Sequence, residues 1–192
     1  MSAWAAEAGV GASTFPPIAE YGFLSDCETC ALVAPNSNVE WLCLPRFDSP
    51  SVFGAVLDRD AGTFRLAPAD IEVPAARRYL PGTNVLETSW GTNSGWIIVR
   101  DVLLIGPWHH EHERSHTHRR APTDYDADHV FVRLVRCVNG EAQVTLDCEP
   151  RFDYGRTPGM WEYTGTTYHE ALCRAEHTDY ELKLTSDMNM GF

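Results

Sequence analysis

The sequence has little basic charge, no long apolar run and no secretory signal. Its 192 residues carry 15 Lys and Arg against 27 Asp and Glu, a formal net charge of −12. Nucleic-acid binders need clustered Lys and Arg to displace phosphate counterions, so we expect no nucleic-acid partner. No stretch approaches the roughly 18 to 20 apolar residues of a membrane helix, and the first residues lack a basic start and an apolar run. We therefore expect a cytoplasmic protein with no membrane partner.

The sequence also lacks the common catalytic signatures. It has no nucleophile elbow, no Gly-rich phosphate loop and no metalloprotease helix. Cys27 and Cys30 have the spacing of a zinc or redox pair, but a zinc site needs a second pair and a redox site needs a βαβ unit. We interpret them as ordinary buried or half-buried cysteines. Cys43, Cys137 and Cys148 lie in strand-like runs, where a reduced thiol acts as a small buried hydrophobe.

Short runs of β-branched and aromatic residues, separated by turn residues, fill the chain from residue 18 onward. This pattern is typical of an all-β sandwich or barrel, and a hydrophobic content of 44% suffices for a core. We expect residues 1–15 to form a flexible leader and residues 16–192 one β-sandwich domain. The predicted hairpins join residues 29–34 to 39–44, 52–57 to 63–66, 84–90 to 96–104, 130–138 to 142–148 and 161–164 to 166–172, and a further strand is predicted at 180–184.

A segment at about 107–129 interrupts these strands with six of the eight histidines and almost no apolar residue. We expect a long, solvated surface loop. The alternative is a divalent metal site, because imidazole suits zinc or nickel and carboxylates suit magnesium or calcium. The candidate ligands are His109, His110, His112, His116 and His118, and they are followed by Asp124, Asp126, Asp128 and His129. Their spacing matches no defined metal site.

Two polar segments with aromatic residues, 41–51 and 151–156, carry the candidate sugar contacts. Aromatic rings stack on sugar faces, while Arg and Asp bind hydroxyls. The substrate-binding candidates are Trp41, Arg46, Phe47, Asp48 and Ser49. The alternative is that Arg46 with Asp48, and Arg151 with Asp153, form local ion pairs that stiffen a turn.

Five segments resemble the start of bacterial trehalases and glucoamylase-like enzymes of glycoside hydrolase family fifteen, and the actinobacterial trehalases are the suspected subgroup. They are residues 17–22, 29–33, 39–53, 78–88 and 149–155, in the family's order and at plausible spacing. The Pro-Arg-Phe-Asp-Ser-Pro-Ser block within 39–53 is the most specific. Glu20 stands where the family often has Asp, and Ser25 where Gly is common, both of which are mild departures.

The resemblance implies a large antiparallel β-sandwich, or supersandwich, followed by an α/α barrel that carries two catalytic glutamates. The barrel is not in this chain, so the resemblance implies an enzyme parent and a piece with no catalytic residue and no required cofactor. The expected partners are the barrel of the same polypeptide and a small sugar, trehalose or another α-glucoside. Inverting hydrolysis of trehalose to glucose is the expected reaction. A glucoamylase or another α-glucosidase, a stand-alone carbohydrate-binding or assembly module, a metal-binding regulatory domain and a homo-oligomer all stay open.

Overall fold

Antiparallel β-strands make up almost all of the regular structure. The structure is a computed structural model that describes residues 15–69, 71–105 and 129–191. Its strands are β1 Gly22–Ser25, β2 Cys30–Val33, β3 Val39–Cys43, β4 Ser51–Phe53, β5 Thr63–Pro68, β6 Ala76–Tyr79, β7 Leu86–Gly91, β8 Gly95–Leu104, β9 Val130–Gly140, β10 Val144–Glu149, β11 Thr157–Pro158, β12 Met160–Tyr163, β13 Glu170–Arg174 and β14 Leu182–Thr185. Helical structure in the described residues is limited to a 3-10 turn at Ile18–Glu20 and the short element α1 at Phe152–Gly155. None of the described helices has the length or apolarity to span a bilayer.

The strands form two four-stranded sheets and two smaller ones. Their orders are β1-β2-β3-β4, β6-β7-β8-β9, β10-β5 and β12-β13-β14. One main core receives buried side chains from every sheet, including Leu24, Leu42, Phe64, Leu103 and Cys173. Sheets that bury one apolar side against a shared core are the defining feature of an all-β sandwich, so the expected fold class is confirmed.

Three predicted hairpins are confirmed. β2 pairs with β3, β7 with β8, and β12 with β13. The connections contain residues suited to a left-handed backbone, since Ser37 has φ 67° and Gly165 has φ 80°. Each of these hairpins joins neighbouring strands through a short turn, which is the arrangement that turn residues indicate most directly.

Two predicted hairpins are wrong. β4 pairs with β3 and β5 pairs with β10, so residues 52–57 and 63–66 do not form one ladder. β9 pairs with β8 instead of β10, and Gly140 at the end of β9 lies opposite Gly95. A Cβ atom at Gly140 would lie 2.0 Å from the Ser94 carbonyl oxygen, so glycine is required there by a close backbone approach. A turn residue marks a change of direction, but the core decides which strand becomes the neighbour.

One buried arginine joins four parts of the fold. Arg133 of β9 pairs with Asp101 of β8 at 2.9 Å. Its two terminal nitrogens donate to the carbonyl oxygens of Phe64 and Ser37, both at 2.6 Å. We call these four residues the Arg133 cluster. Because the buried charge has a carboxylate partner and its donors are satisfied, it holds β5, β8, β9 and the β2–β3 turn in register.

The six cysteines are free thiols in three different environments. Cys43 and Cys173 are buried, and burial raises the pKa of each to about 11. Cys148 is half-buried, and its pKa is raised to about 12, mainly by desolvation. The prediction that Cys137 is buried is wrong, since Cys137 is exposed near the end of β9, which pairs with β8 alone among the described strands.

Candidate functional site

The candidate residues 46–49 form a tight turn just after β3. The Ser49 N–H donates to the Arg46 carbonyl oxygen at 3.1 Å, and the Arg46 N–H donates to the Ser49 hydroxyl at 3.1 Å. This reciprocal pair of hydrogen bonds closes the turn locally. The Phe47 ring and the Asp48 carboxylate point outward and are exposed. The turn therefore presents an aromatic ring, a carboxylate and a guanidinium on a rigid backbone.

The β1–β2 loop fixes the base of this turn. The Phe47 N–H donates to the Glu28 carbonyl oxygen at 3.0 Å. The buried Thr29 hydroxyl donates to the Cys43 carbonyl oxygen at the end of β3. These two contacts tie the chain before and inside the turn to one neighbouring loop. Ordered support of this kind lets a surface loop hold a ligand group in a fixed position.

Trp41 lies on β3 and has an aromatic neighbour from a distant part of the chain. Its ring centroid is 6.3 Å from that of Tyr154, with an angle of 34° between the planes. The Trp41 ring is half-buried and the Tyr154 ring is exposed. Two aromatic rings at this separation form a surface on which a sugar ring can stack.

Tyr154 occupies a strained turn. Asp153 has φ 50° and Tyr154 has φ 58°, both in the left-handed region, and Gly155 follows at φ 92°. Phe152 anchors the turn with a side chain that is fully buried in the core. A Cβ atom at Gly155 would lie 2.7 Å from the Ala61 Cβ atom, so only glycine fits there. Left-handed residues other than glycine cost roughly 1–3 kcal/mol each and concentrate at functional sites.

A buried carboxylate of the β1–β2 loop pairs with a histidine that immediately precedes β9. His129 Nδ1 is 2.5 Å from Asp26 Oδ2, and His129 Nε2 is 3.9 Å from Glu28 Oε2. Asp26 also accepts the backbone N–H groups of Glu28 and Thr29 at 2.9 and 2.8 Å. Burial raises the pKa of Asp26, but the hydrogen bonds from His129, Thr29 and Glu28 outweigh it and lower the pKa below its usual value. We call Asp26, Glu28 and His129 the Asp26–His129 cluster.

A second buried carboxylate lies next to Trp41 in the chain. Glu40 accepts the Tyr21 hydroxyl at 2.5 Å and the Arg59 guanidinium at 2.5 Å. Burial, followed by the Glu40 carboxylate, raises the pKa of Tyr21 to about 12. The phenol therefore stays protonated as a donor at neutral pH. These bonds hold β3 in place on one side of the Trp41 position.

Some candidate residues come together and others do not. Trp41 meets Tyr154, and Arg46 meets Asp48 with Nε and Oδ1 3.4 Å apart. The ion pair within residues 46–49 is therefore present, and its groups stay accessible to a ligand. The expected pairing of Asp153 with Arg151 is wrong, because Asp153 pairs with Arg156 at 3.3 Å. The short spacing across the turn favours that partner.

The metal hypothesis rests on residues outside the described part of the chain. That part contains all five candidate ligands: His109, His110, His112, His116 and His118. It also contains residues 1–14 of the predicted leader and residues 107–128 of the predicted loop, whereas Phe15 and His129 are described. Within residues 15–69, 71–105 and 129–191, no group of three or more His, Cys, Asp or Glu side chains has the geometry to hold a metal ion.

Cys30 of the Cys27–Cys30 pair is not an activated thiol. Cys30 is half-buried, and its pKa is raised by burial and by Asp26, the opposite of what a redox thiolate needs. Cys27 is exposed, so the expectation that it is at least half-buried is wrong. Cys27 lies in the β1–β2 loop and has a left-handed φ of 78°.

Comparisons with known proteins point to one family. The family described as trehalase-like, N-terminal, matches residues 8–103, half of the chain. The trehalase of Mycolicibacterium smegmatis is 57% identical over 180 residues, which are 92% of this chain and 27% of that protein. The trehalase of Mycobacterium tuberculosis is 54% identical over 92% of this chain and 26% of its own length. A trehalase of Thermoplasma volcanium is 30% identical over 92% of this chain and 27% of its own.

The chain spans about a quarter of the length of these curated relatives. No solved structure matches it.

Proposed function

This chain belongs to the trehalase-like N-terminal family, and we propose that it serves as the β-sandwich domain of an enzyme that hydrolyses α,α-trehalose to glucose. The observation that carries the proposal is the identity of 57% and 54% to two mycobacterial proteins named trehalase. In such an enzyme the acid and base carboxylates stand roughly 6.5 to 9.5 Å apart, and water attacks the anomeric carbon with inversion. Those two carboxylates belong to an α/α barrel in the remaining part of the longer protein.

The domain has two tasks in this proposal. It supports the barrel, and its turn at residues 46–49 forms part of the wall of the sugar pocket. Arg46 and Asp48 bind sugar hydroxyls, while Phe47 and the Trp41–Tyr154 pair cover apolar sugar faces. The rigid backbone of the turn supports this role, because positioning a substrate requires groups that do not have to be ordered on binding.

A stand-alone carbohydrate-binding module is less well supported. Such a module would be expected to resemble other binding modules, whereas the relatives are trehalases about four times longer than the matched region. The names of those relatives also favour trehalose over maltose or another α-glucoside as the substrate.

The test uses a chimera in which this chain replaces the matching N-terminal region of the M. smegmatis trehalase. Arg46→Ala and Asp48→Ala are each expected to raise the KM for trehalose about tenfold, with the melting temperature unchanged, since exposed ion pairs contribute about 0–1 kcal/mol to stability. Arg174→Ala is the matched control, because Arg174 forms an exposed ion pair with Glu181 on a different sheet. Normal kinetics in the Arg46 and Asp48 variants would exclude a role for the turn in the pocket wall.

A further inference from the structure

The outer side of β8 and β9 is apolar where a solvated sheet face would be polar. In β8 the inward residues Ile97, Val99 and Leu103 are buried, yet the outward positions between and beside them are also mostly apolar. An antiparallel sheet with one wet face normally alternates apolar and polar residues. We define the outer apolar face as Trp96, Ile98, Val102, Leu104, Val130, Val132 and Leu134.

The residues of this face are neighbours across the two strands. Leu104 lies opposite Val130, and Val102 lies opposite Val132. The Trp96 ring lies over Gly91 of β7, where a Cβ atom would be 2.8 Å from the ring. Leu134 is 58% exposed, and Trp96, Leu104 and Val130 are exposed as well. The exposed apolar side chains therefore cluster on one side of two paired strands, with Arg100 among them, and such clusters mark interaction surfaces.

Among the described strands, the edge of the same sheet is also unpaired. Within the described residues β9 pairs with β8 alone, so one side of an eleven-residue strand has no partner. Val135, whose side chain points to the inner side, is exposed at 38%. A long apolar edge strand promotes aggregation unless another structure covers it.

The charges on this face are positive in an acidic chain. Glu87 lies between Arg78 and Arg100 in the register, with ion pairs of 2.7 and 2.8 Å, and Arg136 lies opposite Ile98. Three arginines against one glutamate leave the face positive, although the whole chain has a net charge of −12. A second copy of the chain would bring like charges together, whereas a partner surface with carboxylates would attract.

We propose that the outer apolar face is where the catalytic domain of the longer polypeptide docks, through an apolar patch bordered by carboxylates. This inference rests on the proposed function, since it takes that domain as the occupant. The relatives are long enough to contain such a domain, because about three quarters of each lies outside the region that this chain matches. Interfaces between domains of one chain are typically apolar at the centre and polar around it.

The test compares two exposed leucines in the chimera with the M. smegmatis trehalase. Leu134→Glu places a charge in the face, and Leu57→Glu is the matched control, because Leu57 is 61% exposed in the β4–β5 loop. Both variants of the 192-residue chain alone are expected to melt like the unaltered chain. In the chimera, Leu134→Glu is expected to speed proteolysis between the domains about tenfold, and Leu57→Glu to leave it unchanged.

A third variant tests the charge. In the chimera, Arg136→Glu is expected to speed proteolysis between the domains, by a smaller factor than Leu134→Glu does. Slower proteolysis between the domains in Arg136→Glu would overturn the inference that the partner surface is acidic. An unaltered proteolysis rate in Leu134→Glu would overturn the docking face. A dimer of the 192-residue chain that Leu134→Glu dissociates would also overturn the docking face. The same holds for a chimera that does not fold when the unaltered M. smegmatis trehalase does.

Trehalose hydrolysis separates this proposal from the proposed function. A chimera that docks through the face but does not hydrolyse trehalose would contradict the function and leave the docking face supported. A chimera that hydrolyses trehalose with docking insensitive to Leu134→Glu would overturn the docking face and leave the function supported.

Discussion

Two arginine–aspartate pairs in this domain have the same chemistry and opposite surroundings. Arg133 and Asp101 are 4% and 0% exposed, and Arg133 also donates to two backbone carbonyl groups. Arg46 and Asp48 are 41% and 83% exposed, in a turn that is closed by its own backbone and the Ser49 hydroxyl. Loss of either partner of the first pair would destabilise the fold, because the other charge would stay buried and unpaired. The second contributes little to stability and leaves its groups accessible to a ligand.

The largest expected effect comes from removing the buried arginine, which tests the difference between the two pairs. Arg133→Ala leaves the Asp101 carboxylate buried without its partner and is expected to lower the free energy of unfolding by about 3–5 kcal/mol. Urea unfolding of the 192-residue chain measures the loss. Arg136→Ala is the control, because Arg136 is exposed on the same strand. Similar losses in the two variants would contradict the role of the Arg133 cluster.

The sequence predicts the local parts of this architecture well and the distant ones poorly. The β2–β3 hairpin depends on a five-residue connection with turn residues, so its signal lies in adjacent positions. The pairing of β5 with β10 places Leu66 opposite Leu146, and only packing of the core selects it. No periodicity in either strand could identify the other. Turn residues at 58–62 instead suggested that β5 would pair with the strand before it.

The candidate site divides in the same way. Trp41 and residues 46–49 could be chosen from one stretch of sequence, because their residue types and spacing suit a sugar. Their supports could not, since His129 reaches Asp26 across 103 positions and Tyr154 reaches Trp41 from a turn beyond β10. The sequence pattern places His129 at the end of the histidine-rich segment, where a solvated loop is expected and a metal site is the alternative. Contacts of that sequence separation depend on the whole fold.

A smaller effect is expected where the Tyr154 turn packs against the β4–β5 loop. Gly155→Ala adds a left-handed alanine and a clash with Ala61, so we expect a loss of about 2–3 kcal/mol. Gly165→Ala is the matched control, because Gly165 is also left-handed but has no neighbouring atom within 4 Å. Its expected loss is about 1 kcal/mol, from backbone conformation alone. Equal losses, measured by urea unfolding, would show that the turn has room to move and is not fixed against Ala61.

The smallest expected effect concerns Asp26, which lies between the two extremes: it is buried like Asp101 but supports the exposed turn. Asp26→Asn removes the carboxylate that accepts from His129 and is expected to cost about 1–1.5 kcal/mol at neutral pH. Because folding lowers the pKa of Asp26, its contribution is complete above the ordinary aspartate pKa of about 3.9 and is lost as the pH falls through the folded value.

The difference in unfolding free energy between the unaltered chain and Asp26→Asn should therefore shrink as the pH falls below about 3.9. Asp179→Asn is the control, because Asp179 is exposed, and it should show no such difference. A difference that grows as the pH falls below about 3.9 would mean that Asp26 is stabilised in its protonated form. The hydrogen bonds from His129, Thr29 and Glu28 would then not outweigh burial, and the base of the turn at residues 46–49 would be held by neutral contacts alone.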